Sequence, residues 1–222
     1  MHDSEQHGAI HADYPPDHEA TASDKTDSQA DAVRVDTYAL LAALLRQPPP
    51  QELLRSLAAV EPPVAQPLRP TRLETAWLSL AGAAKGAQAA DAEDEFNRLF
   101  IGISGGEMTP YGSWYISGAV MDKPLAALRD DLAHFGLQRA EGNAEPEDHA
   151  ASICETMALL ADPEQGVALA EQHEFFSTHV GIWLPRFFQD LQNAKNAAFY
   201  VSVGQLGEAF IEFEKVWLKL PE

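Results

Sequence analysis

Positive charge is what this chain most lacks: over 222 residues, 15 Lys and Arg stand against 34 Asp and Glu, giving a formal charge of −19. Nucleic acid is thereby excluded as a natural partner, because phosphate binding needs clustered basic side chains. A basic peptide suits the charge far better. Cysteine is nearly absent as well, and the single thiol, Cys154, excludes an internal disulfide and a cysteine-built zinc site. No run approaches the roughly 20 apolar residues that span a bilayer. The N-terminus has no basic region followed by an apolar run, so a soluble cytoplasmic protein without stable membrane insertion is expected. Nor does any segment alternate polar and apolar residues as a half-buried strand would.

What is present is helical patterning on an ordinary globular composition, 45% apolar. Residues 1–34 are rich in Asp, Glu, His, Ser and Ala with almost no large apolar side chains, and cannot bury enough surface to offset their ordering entropy. They are read as a disordered acidic tail carrying −6, which leaves −13 on residues 35–222. Nothing fixes His2, His7, His11 and His18 in a metal-binding geometry, so no metal is assigned. Tyr38, Leu41, Leu44 and Leu45 mark a helix stopped by Pro48-Pro49-Pro50; a second covers about residues 51–60. Pro62, Pro63, Pro67 and Pro70 make a stiff connector. Thr71-Arg72-Leu73-Glu74 has the form of a capping box, opening a helix to about residue 90. Asp91 is placed to cap the next helix, which carries Phe96, Leu99 and Phe100. Pro124 opens a helix with Leu125, Leu128, Leu132 and Phe135 inward and Gly136 as its stop. Later helices carry Trp183, Phe187 and Leu191, then Tyr200, Val203, Leu206, Phe210, Phe213 and Trp217 in one stripe. The expectation is an all-α fold, a single domain of roughly nine to eleven helices over residues 35–222.

Two patterns point toward catalysis. Gly102-Ile103-Ser104-Gly105-Gly106 matches G-x-S-x-G, but a nucleophile elbow needs a strand before it and a helix directly after it. Here a helical pattern precedes, and Glu107-Met108-Thr109-Pro110 follows. A serine hydrolase using Ser104 therefore stands only as an alternative, beside a non-catalytic helical adaptor. His173-Glu174-Phe175-Phe176-Ser177 begins like a zincin motif but has serine where the second histidine must stand, so a metalloprotease is excluded.

The stretch Glu145-Pro146-Glu147-Asp148-His149 joins helix-start chemistry to a strongly patterned segment. Proline fits the first helical position, and Glu147 and Asp148 then set negative charge against the positive end of the helix dipole. Ala150, Ile153, Cys154, Met157, Leu160 and Ala161 form an apolar face that His149 borders, while Asp148 is expected to point away with Ser152 and Glu155. Such a mouth suits plain helix capping as well as binding. Upstream, Tyr111-Gly112-Ser113-Trp114-Tyr115-Ile116 packs three aromatics into six residues beside a loop, either as core or as a recognition surface.

The pattern E-P-x-D-H resembles the signature of the TorD/DmsD family of redox-enzyme maturation chaperones. A second block is similar to that family: F-x-x-L-F-x-G followed by P-Y-x-S-x-Y, spelled by Phe96, Leu99, Phe100, Gly102, Pro110, Tyr111, Ser113 and Tyr115. His179, Trp183 and Phe187 are a third, weaker block. Gly112 departs from the pattern, since the family often has glutamate before that serine. The resemblance implies a cytoplasmic, non-catalytic chaperone that binds the twin-arginine leader and apo form of a molybdenum-cofactor oxidoreductase. Such a client would resemble a dimethyl sulfoxide or trimethylamine oxide reductase, a formate dehydrogenase or a nitrate reductase. It implies a leader site built from Pro110, Tyr111, Ser113, Trp114 and Tyr115 with Glu145, Pro146, Glu147, Asp148 and His149, the carboxylates facing the leader's arginines and His149 orienting them. The family is also associated with weak guanine-nucleotide binding, but no G-x-x-x-x-G-K-[S/T] loop supports it here, and no cofactor is assigned.

Overall fold

The computed structural model describes residues 22–60, 70–102, 105–139 and 145–219. Among these residues there are ten α-helices and no β-strand. They are α1 (Ala22–Arg46), α2 (Gln51–Ala58), α3 (Arg72–Gly86), α4 (Ala89–Phe96), α5 (Gly112–Ser117), α6 (Lys123–His134), α7 (Ala150–Ala161), α8 (Leu169–Phe175), α9 (Leu184–Asn193) and α10 (Phe199–Trp217). Wider π-turns at Asn97–Ile101 and Phe176–Val180 prolong α4 and α8.

The core lies around α10, which packs on α9 and α3, while α1 lies along α7 and α2 closes on α3. Tyr200, Val203, Leu206 and Phe210 of the α10 stripe are fully buried. The approach of α9 requires glycine: a Cβ on Gly207 would stand 2.3 Å from the Phe188 ring. Cys154 is buried in α7, and burial pushes its thiol pKa up, as a core thiol requires.

Helix boundaries follow the sequence where the cap is local. The Thr71 hydroxyl accepts from the Glu74 N–H at 3.1 Å and the Glu74 carboxylate from the Thr71 N–H at 2.6 Å, so α3 opens on a complete capping box. Gly136 has φ +68° and follows α6 as its stop.

Where the cap comes from elsewhere, the boundary moves. The expected helix to residue 90 ends instead at Gly86, and Asp91 lies inside α4 rather than capping it. The reason is Gln51, whose side chain accepts from the Ala89 N–H at 3.0 Å and so starts α4 three residues early. Helix α10 likewise has no side-chain cap of its own. Buried Glu95 accepts from the N–H groups of Ala198, Phe199 and Tyr200 at 2.7, 3.0 and 2.7 Å.

The largest departure is at the N-terminus, where α1 begins at Ala22 and not after residue 34. Arg34 is fully buried. Its guanidinium donates to Glu214 of α10 at 2.8 Å and to Gln172 of α8 at 2.8 Å, and the Tyr38 hydroxyl completes the Glu214 shell at 3.0 Å. A buried pair of this kind ties the middle of α1 to the body, which residue composition alone does not reveal. Residues 1–21 of the expected tail, most of the proline connector, most of the polar loop before Glu145 and Ser104 lie outside the described residues.

Candidate functional site

The segment around Glu145 does not begin its helix where proline suggests. Helix α7 starts at Ala150 with His149 as N-cap, and residues 145–148 form a turn before it. Pro146 is therefore outside the helix; its carbonyl accepts from the His149 N–H at 3.1 Å and closes that turn. His149 caps through its ring, Nδ1 accepting from the Ala151 N–H at 3.1 Å. Its imidazole is buried, which pulls its pKa down to about 4 against the opposing charges of Glu145 and Asp148.

Asp148 points inward, contrary to the expectation that it faces solvent with Ser152 and Glu155, and only 3% of it is exposed. Its Oδ2 accepts from the Ser113 N–H at 2.8 Å and its carbonyl from the Gly112 N–H at 2.8 Å. Helix α5 has no side-chain cap of its own, so Asp148 supplies one from across the fold. In return the Pro110 carbonyl accepts from the Ala150 N–H at 2.8 Å. The two segments thus form a short antiparallel bridge at Tyr111 and His149, whose rings meet edge to face at 5.3 Å. The Asp148 Oδ1 is buried with no partner among the described residues.

The remaining motif acids are also engaged. The Tyr111 hydroxyl donates to Glu145, and burial first, then that carboxylate, pushes the phenol pKa up. Arg129 of α6 donates through Nε and Nη2 to Glu147 at 2.9 and 2.8 Å, with the Arg139 guanidinium 4.0 Å away. Burial works against the Glu147 carboxylate, but Arg129, a backbone N–H and Arg139 together outweigh it and the pKa falls. The motif is a knot tying α5, α6 and α7 together.

The third block packs onto the same knot. A Cβ on Gly112 would stand 3.1 Å from the buried Trp183 ring, so the missing glutamate side chain leaves the space that the indole fills. Trp183 Nε1 donates to the His179 carbonyl at 2.7 Å, and the His179 ring contacts Asp131 of α6 at 2.5 Å. Tyr115 lies on Trp183 and Phe187 at 5.6 and 6.0 Å.

All ten expected site residues therefore meet at one place, but they divide by depth. Ser113, Asp148 and His149 are buried, whereas Trp114 is 45% exposed and Ile116 beside it 44%. Arg129 and Arg139 were not legible as site residues from the motif alone, and Ile116, which ends the aromatic stretch, was not singled out within it. The apolar residue two places beyond Trp114 was the available signal for Ile116. Around Ser104, the hydrolase alternative meets a helical segment before the glycines and irregular chain after them, not the strand and helix an elbow needs. Among the described residues, no three His, Cys, Asp or Glu side chains are grouped to hold a metal.

Residues 66–189, which contain all three blocks, match the family described as nitrate reductase delta subunit. The chain belongs to that family. Among named relatives of this delta-subunit family member, it is 31% identical over 134 residues to the chaperone protein TorD of Vibrio parahaemolyticus, covering 56% of this chain and 62% of the relative. It is 27% identical over 128 residues to the Tat proofreading chaperone DmsD of Salmonella typhimurium, covering 57% and 61%. The chain thus spans about three fifths of the length of these relatives. Its fold is similar to that of an Archaeoglobus fulgidus protein described as a redox enzyme maturation protein, with a TM-score of 0.53 at 18% identity over 81% of this chain and 93% of that one. The resemblance read from the three blocks is the one these delta-subunit relatives bear out.

Proposed function

We propose that this chain is a non-catalytic maturation chaperone that binds the twin-arginine leader of a molybdenum-cofactor oxidoreductase and holds the apo-enzyme before export. The observation that carries this reading is the placement of Trp114. A large aromatic stands in solvent on a six-residue helix that would not persist alone, at the centre of the site, because Asp148, Pro110 and Trp183 hold that helix from below. The fold works to display that indole.

The leader's apolar stretch lies on Trp114 and Ile116, the mode in which an apolar peptide face fills a groove. Its arginines are drawn by a chain of net charge −19, with Glu145 and Glu147 at the rim of the knot. Asp148 and His149 act beneath the surface by positioning α5, and do not themselves meet the arginines. The names of the relatives support the chaperone class, and the family description supports a client of the nitrate reductase kind. Binding a leader before export places the protein on the cytoplasmic side, and among the described residues no helix is long and apolar enough to cross a membrane.

Co-purification from the native cell tests this. The tagged chain should enrich a molybdoenzyme precursor that still carries its leader, and lose it when the leader is deleted from the client gene. Equal recovery of the leaderless client refutes leader recognition; recovery of no molybdoenzyme refutes the chaperone reading.

A further inference from the structure

Beyond α5 the chain makes a short turn before α6, and this turn carries two more exposed apolar side chains, Val120 at 43% and Met121 at 69%. With Trp114 and Ile116 they place four large apolar residues in solvent within eight positions. Met121 is the most exposed large apolar residue described, and it is also the one non-glycine residue with positive φ among the described residues, at +59°. A left-handed conformation is unfavourable for a residue with a long side chain, and it persists only where surrounding contacts impose it. The contact is the hydroxyl of Ser113, which accepts from the Met121 N–H at 3.1 Å while itself fully buried. A residue of the P-Y-x-S-x-Y block thus holds an exposed methionine in an unfavourable backbone shape just beyond the helix that carries Trp114.

We propose that Met121, held by Ser113, is a second apolar contact for the leader and, with Trp114, meets the apolar stretch of that peptide. This rests on the proposed leader binding and adds to it a contact residue and a job for Ser113. Methionine suits the role, because an unbranched, polarisable side chain adapts to leaders of different sequence. Charge selects the occupant. A second copy of this chain would bring another −19, and an anionic membrane would repel the same charge, whereas an apolar peptide flanked by arginines is attracted. Asp122, next to Met121, adds to that attraction; its pKa is lowered by the Lys123 N–H and the Ser117 hydroxyl, so it stays ionised.

The test compares wild type, Met121→Ser and Met121→Gly by titration with a fluorescent twin-arginine leader peptide, alongside thermal melting of each. Glycine accepts φ +59° without strain, so Met121→Gly should raise the melting temperature while weakening leader binding, by roughly tenfold if most of the side chain is buried on binding. Met121→Ser should weaken binding to a similar degree. Opposite signs in stability and affinity are not expected of a merely structural residue. If wild type binds the leader and both variants bind it equally well, this inference is overturned and leader binding stands. If wild type does not bind, leader binding itself is overturned. A wild-type dimer in sedimentation, or binding to anionic vesicles, that Met121→Ser abolishes would also overturn it, by assigning the surface to another occupant.

Discussion

Removing the Asp148 carboxylate separates a positioning role from direct contact with a ligand. In Asp148→Ala the Ser113 N–H loses a 2.8 Å charge-assisted acceptor, worth about 1.5–3 kcal/mol. Part of that is returned, because Oδ1 is buried without a partner and its desolvation is already uncompensated. The expected net loss is about 1–2 kcal/mol, read as a lower urea midpoint at unchanged slope. Asp148→Asn retains an oxygen for Ser113 but turns an amide N–H₂ toward the position where Oδ1 finds no partner, so it should be destabilised by a comparable amount. Both variants should bind a leader less well, since α5 and Trp114 lose their support. Because Asp148 is only 3% exposed, the deficit should be nearly the same at low and high ionic strength. Wild-type midpoints in both variants would refute the positioning argument. A stable variant whose binding deficit disappears in high salt would show instead that Asp148 meets the leader's arginines directly.

Two further outcomes follow from buried ionisable groups. His149 has its pKa pulled from 6.5 to about 4 in the fold, so the unfolded chain binds the extra proton between those values. Stability should therefore be full above about pH 6.5 and fall toward pH 4, by up to about 3 kcal/mol, and His149→Gln should flatten that part of a pH–stability profile. Arg34→Ala leaves Glu214 buried beside Tyr38 without its cation, and should cost about 3–5 kcal/mol in chemical denaturation. Trimming the chain to begin at residue 22 should spare this pair and trimming to begin at residue 35 should not, which a comparison of melting temperatures checks.

Helical class and the main apolar faces were legible because they depend on local periodicity, whereas the meeting of residues 110–115 with residues 145–149 was implied only by the family resemblance. The Thr71 box and the Gly136 stop were legible for the same reason: each supplies its own chemistry within a few residues. Boundaries failed where a helix takes its cap from a distant side chain. Gln51 starts α4, Asp148 caps α5 and Glu95 caps α10, and nothing near those helix ends in sequence announces it. The same is true of Arg34, a cation in an acidic stretch whose partner is 180 residues away. The two motif segments meet in space, but the direction of Asp148 was not legible, because an aspartate near a helix start is as compatible with capping another helix as with facing solvent.

The central claim is that a leader peptide docks on the surface that Trp114 presents. An anisotropy titration of a labelled twin-arginine leader into wild type and Trp114→Ala, each at low and high salt, tests it most directly. Wild-type binding should be saturable and weaken with salt, and Trp114→Ala should lose about tenfold or more in affinity at both salt levels, since it removes apolar burial and not charge. Absence of saturable binding by wild type, or wild-type affinity in a folded Trp114→Ala, would contradict it.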